Sequence, residues 1–201
     1  ITFVVVLVMH IFIHELGHMV CGLISGYKFN SIRFFGLMII NEDGKLAIRR
    51  MSVAGTGGQC SMVPPRIDGT SPVALFNWGG CIANVITSVV AILVAILCRG
   101  MVVFSTILLI FAVVGIGLAI INGIPFKSLG NDGYNARTLK DRPQAKVAFE
   151  KSLVIMKELG DGKRLRNLPK DYFDYEVGKY ELDDNLLVSQ AAMTLNYHLD
   201  C

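Results

Sequence analysis

The sequence predicts a mainly α-helical, polytopic membrane protein, with three transmembrane helices, a small β-hairpin and a C-terminal cytoplasmic helical region. Three observations predict it. The first is composition: of 201 residues, 53% are hydrophobic and only 17% charged, with a mean hydropathy of +0.53, whereas a soluble domain carries about 25% charged residues. The second is that the charge is unevenly placed. Residues 1–26 hold one acid, Glu15, and no Lys or Arg, and residues 71–126 hold only Arg99. The third is length: three apolar stretches reach the roughly 20 residues that a bilayer core of about 30 Å requires.

The first stretch runs from Ile1 to about Ile24, the second from about Pro72 to Cys98, and the third from Met101 to about Ile121. Arg99 and Gly100 alone separate the last two, which predicts a tight helical hairpin. The first stretch is no signal peptide, because it lacks a basic leader and carries His10, His14, Glu15 and His18. The chain begins with Ile1 and ends at Cys201 within a predicted helix, so it is expected to be a fragment, cut at one or both ends.

Orientation follows from the basic residues. Lys28, Arg33, Lys45, Arg49, Arg50 and Arg66 follow the first span, and Lys127 opens a basic stretch after the third. By the positive-inside rule, residues 27–70 and 127–201 face the cytoplasm. The C-terminal ends of spans one and three then share one side. A net charge of +3 without a basic helix or interleaved aromatics is no nucleic-acid footprint.

Between spans one and two, Ser31–Ile40 and Lys45–Val53 read as the strands of a hairpin over residues 31–53. Asn41 to Gly44 supplies the turn, and Gly44 is free to take positive φ. Residues 54–66 are rich in Gly and Pro and read as an irregular loop. The division into domains falls near residue 140: a membrane-embedded core over 1–140, then a helical region over 141–201. In that region Gln144–Leu159 and Asp184–Leu199 read as amphipathic helices, with Asp183 or Asp184 capping the second. Tyr172, Phe173, Tyr175 and Tyr180 are placed to fill the gap between them. The five cysteines form no C-x-x-C pair, and their odd number favours free thiols.

The strongest chemical signal is His14-Glu15-Leu16-Gly17-His18. On a helix, His14 and His18 lie about 40° apart in azimuth and about 6 Å apart along the axis. Two imidazoles at this spacing can share one zinc, and Glu15 between them can act as general base on water that the zinc activates. Such a motif also occurs by chance in soluble helices. Within a span, an ionised side chain costs about 2.5–3.5 kcal/mol even on a lenient scale, and a structural role offers little to offset that. His10 lies on the same face but about 12 Å from His18 along the axis, too far to share a metal. It is read as a supporting or pore-lining residue.

A catalytic zinc takes a third protein ligand. The candidate is Asp132, in Asn131-Asp132-Gly133 after Asn122-Gly123-Ile124-Pro125, because the charge argument puts it on the side of His18. Asp132-Gly133 alone could be merely a turn. Asp141 lies further on, in a basic, soluble stretch.

HELGH within a span, followed by N-x-x-P and then D-G, resembles the site-2 protease family of intramembrane zinc metalloproteases. The middle span's Gly80-Cys81-Ile82-Ala83-Asn84 matches that family's G-x-x-x-N pattern. The resemblance covers roughly residues 1–135. It implies a metalloprotease core with His14, His18 and Asp132 as zinc ligands and Glu15 as catalytic base. It also implies Gly80 and Asn84 near the substrate or the oxyanion, and Asn122 and Pro125 shaping the third-ligand loop. The gap from Pro125 to Asp132 is two residues longer than the family's usual one, and Asn131 stands before the acid. The residues themselves leave a second role open for Asn84, since a lone Asn in an apolar span also joins helices.

The function predicted is an intramembrane zinc endopeptidase cutting membrane-embedded or membrane-associated substrates near the cytoplasmic face. Its partners are the lipid bilayer, a membrane-protein or peptide substrate, and a protein partner for the C-terminal helices, with no nucleic acid. One edge of the 31–53 hairpin, or the Gly57-Gly58 loop, is expected to hold the substrate in extended form, unless the hairpin is purely structural. The alternative function is a non-proteolytic membrane protein with a structural metal site, binding through its cytoplasmic helices.

Overall fold

The structure is a computed structural model and describes residues 1–42, 44–50, 57–127, 130–174 and 185–201. Three helices are long and apolar enough to cross a membrane: α1 (Thr2–Ile24), α2 (Val73–Leu97) and α3 (Val102–Gly123). Their bounds fall within two residues of those the hydropathy predicted. Each turns most of its apolar side chains outward, as lipid-facing helices do: Val4, Phe12, Val85, Val89, Val113 and Ile120 are all exposed. The buried face of α1 is instead polar and small, carrying His10, His14, Glu15, Gly17 and His18.

Small residues let the helices meet at backbone distance. A Cβ on Gly17 would stand 2.3 Å from the Gly79 carbonyl oxygen, and one on Gly79 would stand 2.5 Å from that of Gly17. No side chain fits there, so α1 and α2 touch main chain to main chain. Association inside a bilayer relies on such packing, because lipid supplies no hydrophobic drive between helices.

Between α1 and α2 lies a four-stranded antiparallel sheet rather than a two-stranded hairpin. Its strands are β1 (Lys28–Phe34), β2 (Leu37–Glu42), β3 (Lys45–Arg50) and β4 (Gly58–Val63), in the order β3-β2-β1-β4. Of the expected turn, Gly44 takes φ 87° and Glu42 pairs with Lys45, while Asp43 lies outside the described residues. The first expected strand, however, is two strands. The chain reverses at Phe35-Gly36, pairing Phe34 with Leu37, with Phe35 at φ 52°. The stretch read as an irregular loop supplies β4, which pairs with β1 through Ile32 and Cys60. The extra strands have a physical reason: two strands alone are marginal in water. Residues 51–53 of the expected second strand lie outside the described residues.

Two further helices complete the core. α4 (Asp132–Asp141) and α5 (Pro143–Gly160) follow α3. Leu139, Ala145 and Phe149 share one buried cluster with Tyr27, Met62, Val73 and Phe76. The buried Glu150 carboxylate accepts the backbone N–H groups of Gly69 (2.7 Å) and Ser71 (3.0 Å), tying α5 to the approach to α2. α6 (Asn185–Asp200) packs through Met193 and Tyr197 on a second cluster of Ile155, Leu168 and Phe173. Phe173 and partly buried Tyr172 fill the gap as expected, whereas Tyr175, Tyr180, Asp183 and Asp184 lie outside the described residues. The five cysteines are free.

Candidate metal centre

One helical turn separates His14 from His18, and the fold aims both rings at one point. His18 Nδ1 donates to the Phe76 carbonyl of α2 at 2.8 Å, which leaves Nε2 as the free lone pair. His14 Nε2 lies 3.1 Å from His18 Nε2. Gly80 makes room for the His14 ring, since a Cβ there would fall 2.4–2.5 Å from three of its atoms. The glycine of the G-x-x-x-N pattern is therefore a seat for this imidazole.

The third group arrives from α4. Asp132 Oδ2 stands 2.9 Å from His14 Nε2 and 3.3 Å from His18 Nε2. An Asp carboxyl is ordinarily ionised at neutral pH, the form in which it can bind a metal.

Asn131 places this carboxylate. Its side chain caps α4 by accepting the Tyr134 N–H at 3.2 Å. It also accepts the Phe126 N–H at 3.1 Å and donates to the carbonyls of Ile121 and Ile124, both at 2.7 Å. The residue before the acid thus clamps α4 to the end of α3 and absorbs the longer gap. Residues 128–129 of that gap lie outside the described residues. Gly133 is required by the same approach, because a Cβ there would stand 2.0 Å from the Gly123 carbonyl oxygen.

The three atoms are spaced as the ligands of one cation would be. Tetrahedral zinc with bonds of about 2.0–2.1 Å spaces its ligands by about 3.3 Å, and the separations here are 3.1, 2.9 and 3.3 Å. Asp132 Oδ2 is also buried without a satisfied hydrogen bond, the signature of an acceptor that awaits a positive partner. His14, His18 and Asp132 form the one group of this kind among the described residues. Asp141 closes the far end of α4, nine residues and about 14 Å along the axis from Asp132.

Glu15 lines the same cavity of about 950 Å³ as His14, His18 and Asp132. It accepts the backbone N–H of Cys60 in β4. Gly58 leaves it space, because a Cβ there would stand 2.7 Å from Glu15 Oε1. Burial, aided by the Glu15 carboxylate, pushes the Cys60 thiol up to about 12.

The remaining predicted residues take varied positions. Asn122 lines the cavity, with its amide donating to the Leu118 carbonyl at 3.0 Å. Pro125 is exposed at the turn after α3. Asn84 is fully buried beneath His14. The residue that sequence reasoning undervalued is Asn131, whose only signal was an Asn directly before an Asp-Gly pair.

Neither the curated proteins nor the solved structures compared with the chain give a match. The model of Peptidase family M50 matches residues 2–107. That span includes α1 with its HELGH motif, the whole sheet and α2 with Gly80 and Asn84, and it ends within α3. It takes in more than half of the chain and coincides with the elements that carry both histidines and the acid between them. With a His-His-Asp group that could hold a metal set among three apolar helices, the chain belongs to Peptidase family M50, the site-2 protease family of intramembrane metalloproteases.

Proposed function

We propose that this protein is a zinc endopeptidase that cleaves membrane-embedded or membrane-associated peptides near the cytoplasmic face. The observation that carries the reading is the convergence of His14, His18 and Asp132 at 2.9–3.3 Å beside Glu15. In this reading those three residues hold the zinc. When bound, zinc supplies Lewis-acid charge that polarises a peptide carbonyl and makes water nucleophilic near neutral pH. The Glu15 carboxylate takes the proton from the attacking water and returns it to the departing amide nitrogen. Asn122 borders the space where substrate binds, and Pro125 ends α3 so that the chain can turn toward Asp132. The concentration of Lys and Arg in 27–70 and 127–201 supports placing both on the cytoplasmic side. Residues 1–140 then form the protease core. Residues 141–201 form a cytoplasmic helical region whose α6 offers a surface for a protein partner.

The purified protein is expected to hold one zinc per chain by elemental analysis. Stripping it with a chelator should end cleavage, and adding zinc back should restore it. A chain that cleaves equally well after complete zinc removal overturns the reading.

Substrate has a place to bind in extended form. A transmembrane helix must unwind before its peptide bonds can be reached, and an open sheet edge can pair with the unwound chain. β4 ends the sheet beside Glu15, and among the described residues it pairs with β1 alone. We assign capture to this edge rather than to β3. A photocrosslinking residue at Gln59 should trap a single-span substrate, whereas one at Ile48 on β3 should not. Equal capture at both positions would remove β4 from the role.

A further inference from the structure

His10, Asn84 and Ser88 are fully buried where α1, α2 and α3 meet, and the proposed chemistry leaves them without a task. They form an ordered chain of contacts. His10 Nε2 lies 2.8 Å from the Phe111 carbonyl oxygen of α3. His10 Nδ1 lies 3.2 Å from Asn84 Oδ1, and Asn84 Nδ2 lies 3.4 Å from His14 Nδ1.

The direction of these bonds follows from what each atom can do. A carbonyl oxygen only accepts, so His10 Nε2 carries the hydrogen. A neutral imidazole then accepts at Nδ1. Asn84 must then present its NH₂ to His10 through a half-turn of the amide, which brings its oxygen toward His14. The two ends of an amide are interchangeable by a half-turn, so the bonding network decides which is which. With the oxygen facing it, His14 Nδ1 donates, and His14 Nε2 is left as a lone pair toward Asp132. The opposite orientation fails on two counts. It puts hydrogens on both nitrogens of His10, a positive charge among three apolar helices. It also forces the His14 hydrogen onto Nε2, where it blocks the ligand position.

The packing is built around these rings. Gly80 of α2 seats His14. Gly115 of α3 seats His10, since a Cβ there would stand 2.3 Å from His10 Cε1 and 2.2 Å from Ser88 Oγ. Ser88 in turn donates to the Asn84 backbone carbonyl at 2.7 Å.

We propose that Asn84 and His10 are positioning residues. Together they form a hydrogen-bonded relay from the Phe111 carbonyl through His10 and Asn84 to His14, which fixes His14 as the Nδ1–H tautomer with Nε2 toward the metal. The proposal rests on the reading of His14 as a metal ligand. Asn84 then acts through His14 from behind, on the side away from the cavity.

The test uses the full chain in detergent micelles, labelled with ¹⁵N-histidine and loaded with zinc. Long-range ¹H–¹⁵N spectra should show His10 neutral with its hydrogen on Nε2, and His14 with a slowly exchanging hydrogen on Nδ1. In Asn84→Leu that His14 hydrogen should exchange faster while that of His18 is unchanged. Zinc affinity by chelator competition should fall about tenfold to a hundredfold in Asn84→Leu, the usual cost of losing a partner behind a metal ligand. It should fall in His10→Leu as well, and His10→Gln should restore most of it, because an amide can both donate to Phe111 and accept from Asn84. His10 protonated on both nitrogens, read on the unsubstituted protein, overturns the relay. So does unchanged zinc affinity in both leucine variants. If the unsubstituted protein binds no zinc, the metal centre itself is rejected, which is a distinct outcome from zinc binding with the wrong His10 tautomer.

Discussion

Replacing Glu15 with Gln is expected to lower the cleavage rate about a hundredfold to ten-thousandfold, the range that a positioned general base contributes, while zinc content stays at one per chain. The amide has the size of the carboxylate but cannot take a proton. The atoms that could hold a metal belong to His14, His18 and Asp132, so the metal should be retained. The substituted side chain would still accept the Cys60 N–H through its amide oxygen, and the packing against Gly58 should survive. A kinetic assay on a single-span substrate, paired with elemental analysis, reads both quantities. Equal activity with zinc retained removes Glu15 from the chemistry.

Asp132→Asn should have its main effect on the metal. A neutral amide oxygen is a weaker donor to zinc than a carboxylate. Loss of a partner behind a ligand already costs about 10–100-fold in affinity, so loss of charge on a ligand itself should cost at least about 100-fold. The fold should feel it less. Asn131, not Asp132, supplies the cap of α4 and the clamp onto α3. The favourable placement of an acid in the first turn is worth only about 0.3–1 kcal/mol. Asp141→Asn is the control, because the length of α4 separates it from the histidines. Chelator competition on the two variants decides between the two acids: equal affinities reject Asp132 as the third ligand.

Much of the protein was legible in advance because its signals are local. The three helices followed from hydropathy alone, since a bilayer imposes a length and a polarity that no soluble context does. The pairing of His14 with His18 needed only the pitch of one helix. The Gly44 turn needed only a residue tolerant of positive φ. Other elements left weaker marks. β4 reads GQCSMV in the sequence, with little β propensity, and its pairing is supported by contacts with α1 and α5. α4 is short and polar and was hidden inside what resembled a loop. The break between β1 and β2 puts Phe35, a bulky residue, in the left-handed region, which sequence rules disfavour.

The sequence by itself determined the membrane class, the three spans, the two histidines with the acid between them, and a family resemblance that the match over residues 2–107 bears out. It named Asp132 only as a candidate. The tertiary structure alone decided that a carboxylate 114 positions beyond His18 in the chain lies within 3.3 Å of it, that Asn131 clamps it there, and that Gly80 and Gly115 open slots for two imidazoles. It also turned His10 and Asn84 from isolated polar residues into partners. The reason is the reach of the information: helix pitch and hydropathy act over one turn or one span. The closing of a metal site depends on which backbones approach closely enough to leave room for a ring, and that is settled only when the helices pack.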